Sequence, residues 1–177
     1  MCPEEFAGSG QAHKLPKRIF DVVLSSVGLA VMAPLILLIA LAIKMESPGP
    51  ILFRQRRIGL NGREFEVLRF RTMYINAEDL PITGHGHTKP DPRLTLIGRF
   101  LRWTALDESP QILNILRGEM SFVGPRAALP YEVKHYTEEQ RARLSCKPGL
   151  TGYRQVYGRR VMELSEAISL DLVYIKK

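Results

Sequence analysis

Two adjacent carboxylates, Asp107 and Glu108, are the residues of this sequence best suited to chemistry. Arginines flank them in the chain, with Arg99 and Arg102 upstream and Arg126 downstream. Nearby guanidinium groups favour an ionised carboxylate, which can bind a divalent cation or attack phosphorus as a nucleophile. A diphosphate would repel the negative charge of the carboxylate. Arginines and a metal would therefore be needed to bring the carboxylate and the diphosphate together. The group therefore suits phosphoryl transfer, although two acids in the first turn of a helix are also a common structural feature.

The elements that must position these carboxylates can be predicted from the flanking residues. Thr104 precedes Asp107 by three residues, and the periodic apolar run QILNIL follows, which predicts a helix that starts here and ends at Gly118. The pair Gly124-Pro125 predicts a tight turn just before Arg126. We therefore expect both carboxylates in the first turn of a helix.

An arginine-rich hairpin is predicted upstream. The alternating runs ILFRQRRIG and REFEVLRF flank Leu60-Asn61-Gly62, and an Asn-Gly pair in that position is a strong β-hairpin signal. Two acids, Glu64 and Glu66, accompany the arginines, which could form a solvated face. Arginine rather than lysine favours phosphate binding, because its planar guanidinium matches phosphate oxygens. The arginines are Arg54, Arg56, Arg57, Arg63, Arg69 and Arg71.

A charge-free stretch of 22 residues, 22–43, is long enough to form a membrane helix. Pro34, in its middle, costs about 3 kcal/mol inside a helix. Each Leu, Ile, Val or Phe favours insertion by about 0.3–0.6 kcal/mol, so the apolar sum exceeds that cost. Insertion is therefore expected, with the shape of the helix altered at Ala33-Pro34.

Both flanks of this stretch are basic, with Lys17 and Arg18 before it and Lys44 after it. Because basic flanks prefer the cytoplasmic side, a helix that re-enters at Pro34 and returns to the same face is favoured over a straight span, which remains the alternative. Asp21 follows Lys17 by four residues, the spacing of a helical salt bridge.

Composition limits the class of protein. The 177 residues include 25 Lys and Arg against 18 Asp and Glu, and the whole net charge of +7 lies in residues 44–177. A basic domain beside a membrane suits anionic lipid headgroups or phosphate-bearing substrates. No zinc-finger, basic-zipper or RNA-recognition signature is present, so we expect no nucleic acid partner. The pair His85 and His87, without a third ligand, is a weak metal signal.

The remaining segments favour a mainly helical α+β fold containing one β-hairpin. Helices are predicted over Glu132–Leu144, with a capping box from Thr137 to Gln140 inside it, and over Met162–Ile175, whose apolar stripe favours core packing, with a membrane surface as the alternative. The expected organisation is a disordered leader (1–16), a re-entrant membrane helix broken near Pro34 (17–46) and a catalytic domain on the cytosolic face (47–177).

Several long motifs together resemble the bacterial sugar transferases, the monotopic phosphoglycosyl transferases. These motifs are KRIFD, FRQRRIGLNG, LRFRTM, LDESPQILNILRGEMSFVGPR and KPGLTGYRQVYGR. The resemblance implies transfer of a sugar-1-phosphate from a UDP-sugar to undecaprenyl phosphate with release of UMP. It also implies a place on the cytoplasmic face of the bacterial inner membrane, with anionic lipids and downstream glycosyltransferases as partners. An inactive or truncated member that serves as a basic membrane scaffold is the alternative, since relatives continue beyond Lys177.

The resemblance also implies roles for individual residues. Asp107 would be the nucleophile and a ligand of Mg²⁺, and Glu108 would assist the acceptor phosphate. Ala33 replaces the family's usual serine before Pro34, and Trp103 is an unusual residue that would suit an interfacial anchor. Residues implied to bind substrate are Arg69, Arg71, Arg102, Gln111, Pro125, Arg126 and Gln155, and those matching the membrane hairpin are Lys17, Arg18, Asp21, Ala33 and Pro34.

Overall fold

The computed structural model describes residues 14–75, 77, 91–157 and 164–175. Within them the fold is mainly helical with small sheets, as predicted. The helices are α1 (Lys14–Glu46), α2 (Leu96–Thr104), α3 (Gln111–Arg117), α4 (Pro130–Lys134), α5 (Glu138–Arg141), α6 (Tyr153–Tyr157) and α7 (Leu164–Ile175). The strands are β1 (Leu52–Ile58), β2 (Glu64–Phe70), β3 (Ser121–Val123) and β4 (Gly149–Thr151), and 3₁₀ turns cover Leu60–Gly62, Leu106–Glu108 and Ala142–Ser145.

The described residues form two compact units. The α2 unit consists of residues 30–55 and those between 66 and 111; the α7 unit consists of residues 14–29, 56–65 and those from 112 onward. Each unit therefore contains one part of α1 together with residues of the domain predicted over 47–177.

Helix α1 is continuous over 33 residues, from Lys14 to Glu46. It begins three residues before the predicted boundary at residue 17, and the rest of the predicted leader lies outside the described residues. The helix runs through Ala33 and Pro34, so the predicted break there is not observed. Proline fits a helical φ, and although it removes one backbone hydrogen bond and its ring crowds the preceding turn, membrane helices tolerate it. The helix ends before Ser47-Pro48-Gly49-Pro50, as predicted.

Among the described residues, α1 is the one helix long and apolar enough to cross a membrane. One face is covered, with Asp21 and Ser25 buried in the α7 unit and Ile39 and Ile43 buried in the α2 unit. A helix of a soluble protein turns its apolar face inward, whereas most large apolar side chains of α1 are exposed. They include Phe20, Val23, Val27, Val31, Leu35, Leu37, Leu38 and Leu41.

The core of the α2 unit joins α1 to β2 and α2. Ile39 and Ile43 of α1 pack with Phe70 of β2 and Leu101 of α2, all nearly inaccessible to water. Leu106, the residue before Asp107, packs against the same cluster. The end of the apolar helix is therefore in direct contact with the elements that carry the carboxylates.

Strands β3 and β4 form a parallel pair in the α7 unit that the sequence did not predict. Ser121 aligns with Gly149, and Val123 aligns with Thr151. A Cβ on Gly149 would lie 2.1 Å from the backbone nitrogen of Gly124, so only glycine permits this approach. The predicted turn at Gly124-Pro125 is thus packed directly against the KPGLTG segment.

The predicted helix over Glu132–Leu144 is wrong, because the chain forms α4, α5 and a 3₁₀ turn instead. Thr137 caps α5: its Oγ1 accepts from the Gln140 nitrogen at 3.3 Å, and the Gln140 side chain accepts from the Thr137 nitrogen at 3.0 Å. The capping box therefore starts a new helix rather than lying inside one.

Helix α7 confirms the predicted core packing for two residues of its apolar stripe, Ile168 and Leu172. Ile168 is buried and Leu172 packs beside it against Ala128 and Tyr136. Met162 and the pair His85 and His87 lie outside the described residues.

Candidate active site

Helix α2 leads directly into the two carboxylates. It starts after Thr95, whose Oγ1 accepts from the Gly98 nitrogen at 2.8 Å, and it ends at Thr104. The prediction that Thr104 starts a helix is therefore wrong. Ala105, with a left-handed φ of 57°, ends α2 and begins the 3₁₀ turn that contains Asp107. The carboxylates lie in this turn, before α3 rather than in its first turn.

Arg69 of β2 contacts both carboxylates. Its Nη2 donates to Oε1 of Glu108, and its Nη1 lies 3.9 Å from Oδ2 of Asp107. Asp107 is 7% exposed, whereas Glu108 is only partly buried. The structure thus brings together three of the residues predicted for the site.

Arg102 also belongs to this group, and Thr72 holds it in place. The Nε of Arg102 donates to Oγ1 of Thr72 at 3.0 Å, and the charge of Arg102 acts on Asp107. A Cβ on Gly98 would lie 2.0 Å from the Thr72 carbonyl oxygen, so α2 rests directly on the end of β2. Sequence reasoning missed Thr72, although its place in the LRFRTM motif was a usable signal.

Burial and the arginines act on Asp107 in opposite directions. Burial raises the pKa of Asp107 above its usual value, and the charges of Arg69 and Arg102 partly offset that rise. The sequence predicted only the effect of the arginines. A carboxylate with a perturbed pKa that is held beside two cations is typical of a functional site and suited to attack on an anionic group.

Arg71, which was predicted near phosphate, has contacts of another kind. Its guanidinium donates to the carbonyl oxygens of Pro48 and Ser47 at 2.6 and 2.9 Å and to the Ser47 hydroxyl at 2.8 Å. It is 7% exposed. These bonds tie the end of β2 to the residues that follow α1, and its contact with phosphate stays a prediction. Gln111 is buried at the start of α3.

The other residues predicted to bind substrate belong to the α7 unit. Pro125 is buried, and its carbonyl oxygen accepts from the Gly149 nitrogen at 2.8 Å. Arg126 is exposed, and its carbonyl oxygen accepts from Nη2 of Arg143 at 2.8 Å. Gln155 is exposed on α6. Their roles in substrate binding stay predictions.

The residues predicted at the mouth of the membrane hairpin fasten α1 to the α7 unit. Lys17 donates to the Val123 carbonyl oxygen at 2.9 Å and to the Tyr174 hydroxyl at 2.7 Å. Arg18 donates to two carbonyl oxygens near the end of α3 at 2.7 and 2.8 Å. Asp21 accepts from a hydroxyl and a backbone nitrogen of β3 at 3.1 and 3.2 Å. Lys17 and Asp21 therefore bind other partners and not each other, which corrects the predicted salt bridge.

The carboxylates of this site suit a magnesium ion that is coordinated partly by the phosphates of a substrate. Within the described ranges, no three His, Cys, Asp or Glu side chains converge into a metal cage. Magnesium often uses only one or two carboxylates together with substrate phosphates. Asp107 fits that mode, whereas Glu108 is already bound by Arg69.

Comparison with known proteins identifies the family. The sequence model of the bacterial sugar transferases matches residues 12–177. The chain belongs to the bacterial sugar transferase family. This bacterial sugar transferase is 46% identical over 173 residues to the UDP-glucose:undecaprenyl-phosphate glucose-1-phosphate transferase of Caulobacter vibrioides. The matched region covers 93% of this chain and 64% of the relative.

Two further relatives show how much of each protein is shared. The Escherichia coli K12 protein of the same name is 39% identical over 176 residues, covering 93% of this chain and 37% of the relative. The exopolysaccharide production protein ExoY of Rhizobium meliloti is 36% identical over 190 residues, covering 99% of this chain and 84% of the relative. This bacterial sugar transferase therefore spans less than two thirds of the first two relatives and most of the third.

Proposed function

We propose that this chain transfers a sugar-1-phosphate from a UDP-sugar to undecaprenyl phosphate and releases UMP, through a covalent phospho-sugar intermediate on Asp107. The observation that carries the proposal is the buried Asp107 carboxylate, which lies 3.9 Å from Arg69 and is also acted on by the charge of Arg102. The names of the relatives in Caulobacter vibrioides and Escherichia coli support the same reaction.

In the first step, a carboxylate oxygen of Asp107 attacks the phosphorus that bears the sugar. A bond forms between that oxygen and phosphorus, and the bond to UMP breaks, so UMP leaves with the electron pair. Arg69 and Arg102 offset the repulsion between the carboxylate and the diphosphate. Magnesium, held by Asp107 and the phosphates, would neutralise charge on the leaving group.

In the second step, an oxygen of undecaprenyl phosphate attacks the same phosphorus and Asp107 leaves as a carboxylate. The product is an undecaprenyl diphosphate sugar. Glu108 is suited to assist the acceptor phosphate, by accepting a proton or by orienting it, because Arg69 holds its carboxylate beside Asp107. Arg69 would therefore serve both steps through one side chain.

The reaction requires Asp107 at the depth of lipid phosphates, and α2 suits a membrane surface. Leu96, Phe100 and Trp103 lie on one side of α2 and are exposed, and Arg99 and Arg102 lie between them in the chain. An amphipathic helix with exposed apolar residues and arginines is typical of an interfacial helix. Lipid chains are the occupant we propose for this face, since α1 exposes apolar side chains in the same unit.

We extend the proposal to a re-entrant path for α1 on the cytoplasmic face of the inner membrane. Lys17 and Arg18 bind residues of the α7 unit at one end of α1, and Glu46 binds α2 at the other end. A straight span would put these two ends on opposite sides of the bilayer. Lys17 and Arg18 precede the apolar stretch and Lys44 follows it, and because basic flanks prefer the cytoplasmic side, this charge pattern supports bending of α1 near Pro34 within lipid.

Placement in a pathway follows from the chemistry of the product. An undecaprenyl diphosphate sugar is a starting point for glycosyltransferases that add further sugars, and the relative in Rhizobium meliloti is named for exopolysaccharide production. Anionic lipids suit the net charge of +7. We propose glycan assembly as the pathway and UDP-glucose as the first donor to test.

Release of UMP from a panel of UDP-sugars tests the proposal. The purified chain in lipid bilayers is given magnesium and undecaprenyl phosphate, and wild type is compared with Asp107→Asn and with Glu64→Gln, an exposed charge-matched control. We expect release that requires Asp107 and magnesium and is unchanged in the control. Folded, membrane-bound protein that releases no UMP from any donor would favour the scaffold alternative.

A further inference from the structure

The last residue of α1 is bonded to the first turn of α2. Oε1 of Glu46 accepts from the Leu96 nitrogen at 2.6 Å, and the Ile97 nitrogen lies 3.2 Å from Oε2 and 3.4 Å from Oε1. These nitrogens belong to the turn whose N–H groups have no partner within a helix, and a negative charge there is favoured by the helix dipole. Thr95 bonds the next nitrogen, that of Gly98. Glu46 therefore supplies an acceptor that α2 itself lacks.

Any displacement of α2 along α1 would also move Asp107. Only Ala105 and Leu106 separate the end of α2 from Asp107. Leu101 of α2 and Leu106 pack in the same core as Ile39 of α1. Since closely packed elements move together, the position of α2 sets the position of the carboxylate.

We propose that Glu46 is a positioning residue that fixes α2, and with it Asp107, at a set place along the membrane helix. The hydrophobic driving force in this core is non-directional, so it selects a register along α1 less sharply than hydrogen bonds do. Charge-assisted hydrogen bonds to two particular nitrogens do select a register. The consequence for transfer rests on the proposed function, whereas the placement of α2 does not.

Fluorescence of Trp103 tests the placement without reference to catalysis. Trp103 is the only tryptophan of the sequence and lies on α2 with its side chain 83% exposed. Its depth in bilayers is measured with lipids brominated at different chain positions, and its mobility by anisotropy. The full chain is compared as wild type, Glu46→Ala, Glu46→Gln and the exposed control Glu64→Ala.

We expect Glu46→Ala to change the depth of Trp103 and lower its anisotropy. Glu46→Gln keeps an acceptor oxygen, so it should stay nearer to wild type, and Glu64→Ala should match wild type. The proposal is overturned if Glu46→Ala gives wild-type depth and anisotropy, or if Glu64→Ala changes them as much. Glu46→Gln also loses the charge, so it should lie between wild type and Glu46→Ala; if the alanine variant does not fold, a Gln variant displaced further than Glu64→Ala supports the proposal, and one with wild-type depth and anisotropy overturns it.

Kinetics then test the consequence for transfer. Because small displacements of a reacting group are costly, Glu46→Ala should lower kcat by about tenfold to a hundredfold, with KM for the UDP-sugar within about twofold of wild type. Glu46→Gln should restore most of kcat. A kcat unchanged in Glu46→Ala overturns the proposal. If wild type itself releases no UMP, the proposed function fails, and the fluorescence result still decides the role of Glu46.

Discussion

The Nη1 atom of Arg69 lies 3.9 Å from Oδ2 of Asp107. The same guanidinium donates to Glu108, so one cation from β2 orients both carboxylates of the turn that follows α2. Burial of Asp107 disfavours its charge, and Arg69 is one of the two cations that oppose this effect. Arg69 therefore has two separable effects, on the geometry of Glu108 and on the ionisation of Asp107.

Replacing Arg69 by glutamine should move the pH dependence of UMP release. Asp107 must be ionised to attack phosphorus, and loss of the Arg69 charge leaves the effect of burial on its pKa less opposed. The acidic limb of the pH profile should therefore move to higher pH, and kcat at neutral pH should fall by about a hundredfold or more.

The matched control for this variant is Arg63→Gln, an exposed arginine of the same hairpin. Its profile should coincide with that of wild type. An acidic limb that stays in place in Arg69→Gln would show that Arg69 does not act on the ionisation of Asp107.

Asp107→Asn should be inactive and yet at least as stable as wild type at neutral pH. Because the pKa of Asp107 is raised above 3.8 on folding, the folded state holds this proton more tightly than the unfolded state. The protonated Asp107 side chain stabilises the folded state at low pH, and this contribution is lost as the pH rises through the pKa of the folded state. Asparagine does not ionise, so the variant avoids that loss. UMP release should fall by about a thousandfold or more.

Thermal unfolding at neutral and acidic pH tests whether Asp107→Asn is more or less stable than wild type. The advantage of Asp107→Asn should shrink as the pH is lowered towards the ordinary aspartate pKa of 3.8. A variant clearly less stable than wild type at neutral pH would mean that the arginines outweigh burial.

The exposed aromatic residues of α2 should matter for the lipid acceptor. Replacing Phe100 and Trp103 together by serine removes two of the three exposed apolar side chains of α2, so KM for undecaprenyl phosphate should rise by about tenfold or more. Binding to membranes should persist through α1. Tyr131→Ser, at an exposed aromatic residue of α4, serves as control, and an unchanged KM in the α2 variant would argue against an interfacial α2.

The buried ion pair between Arg143 and Asp171 should be the main electrostatic determinant of stability in the α7 unit. Nη2 of Arg143 lies 2.5 Å from Oδ2 of Asp171, which is 1% exposed, and burial raises the pKa of Asp171. Arg143→Met leaves this carboxylate without its partner and should lower the free energy of unfolding by about 3–5 kcal/mol. Adding Asp171→Leu should restore most of it. Denaturant unfolding measures both, and a single variant as stable as wild type would contradict this account.

Local features of the fold could be predicted from the sequence. The hairpin turn follows from Asn61 and Gly62, which adopt positive φ of 54° and 76°, and Gly118 ends α3 with φ of 88°. Helix α2 was missed because its nine residues are too few for a clear periodic pattern, and its apolar residues divide between exposed positions (Leu96, Phe100 and Trp103) and the buried Leu101. The β3–β4 pair was missed because three-residue strands far apart in the chain carry little periodicity.

The site could be predicted only in part, because some of its contacts join residues that are far apart in the chain. Arg69 and Arg71 have equivalent places in the motif, but β2 ends at Phe70, so Arg71 leaves the strand and binds Ser47 instead of approaching the carboxylates. Glu46 lies 50 residues from Leu96, and nothing in the spacing indicates their contact. Such roles depend on tertiary structure, which residue types alone do not specify.

The mass of the intact protein after incubation with a UDP-sugar and magnesium, without undecaprenyl phosphate, tests the central role of Asp107 most directly. We predict that wild type gains the mass of one sugar phosphate and releases an equal amount of UMP, and that undecaprenyl phosphate then removes the adduct. Asp107→Asn should gain no mass. Transfer to undecaprenyl phosphate without any adduct, or an adduct on Asp107→Asn, would contradict the covalent mechanism.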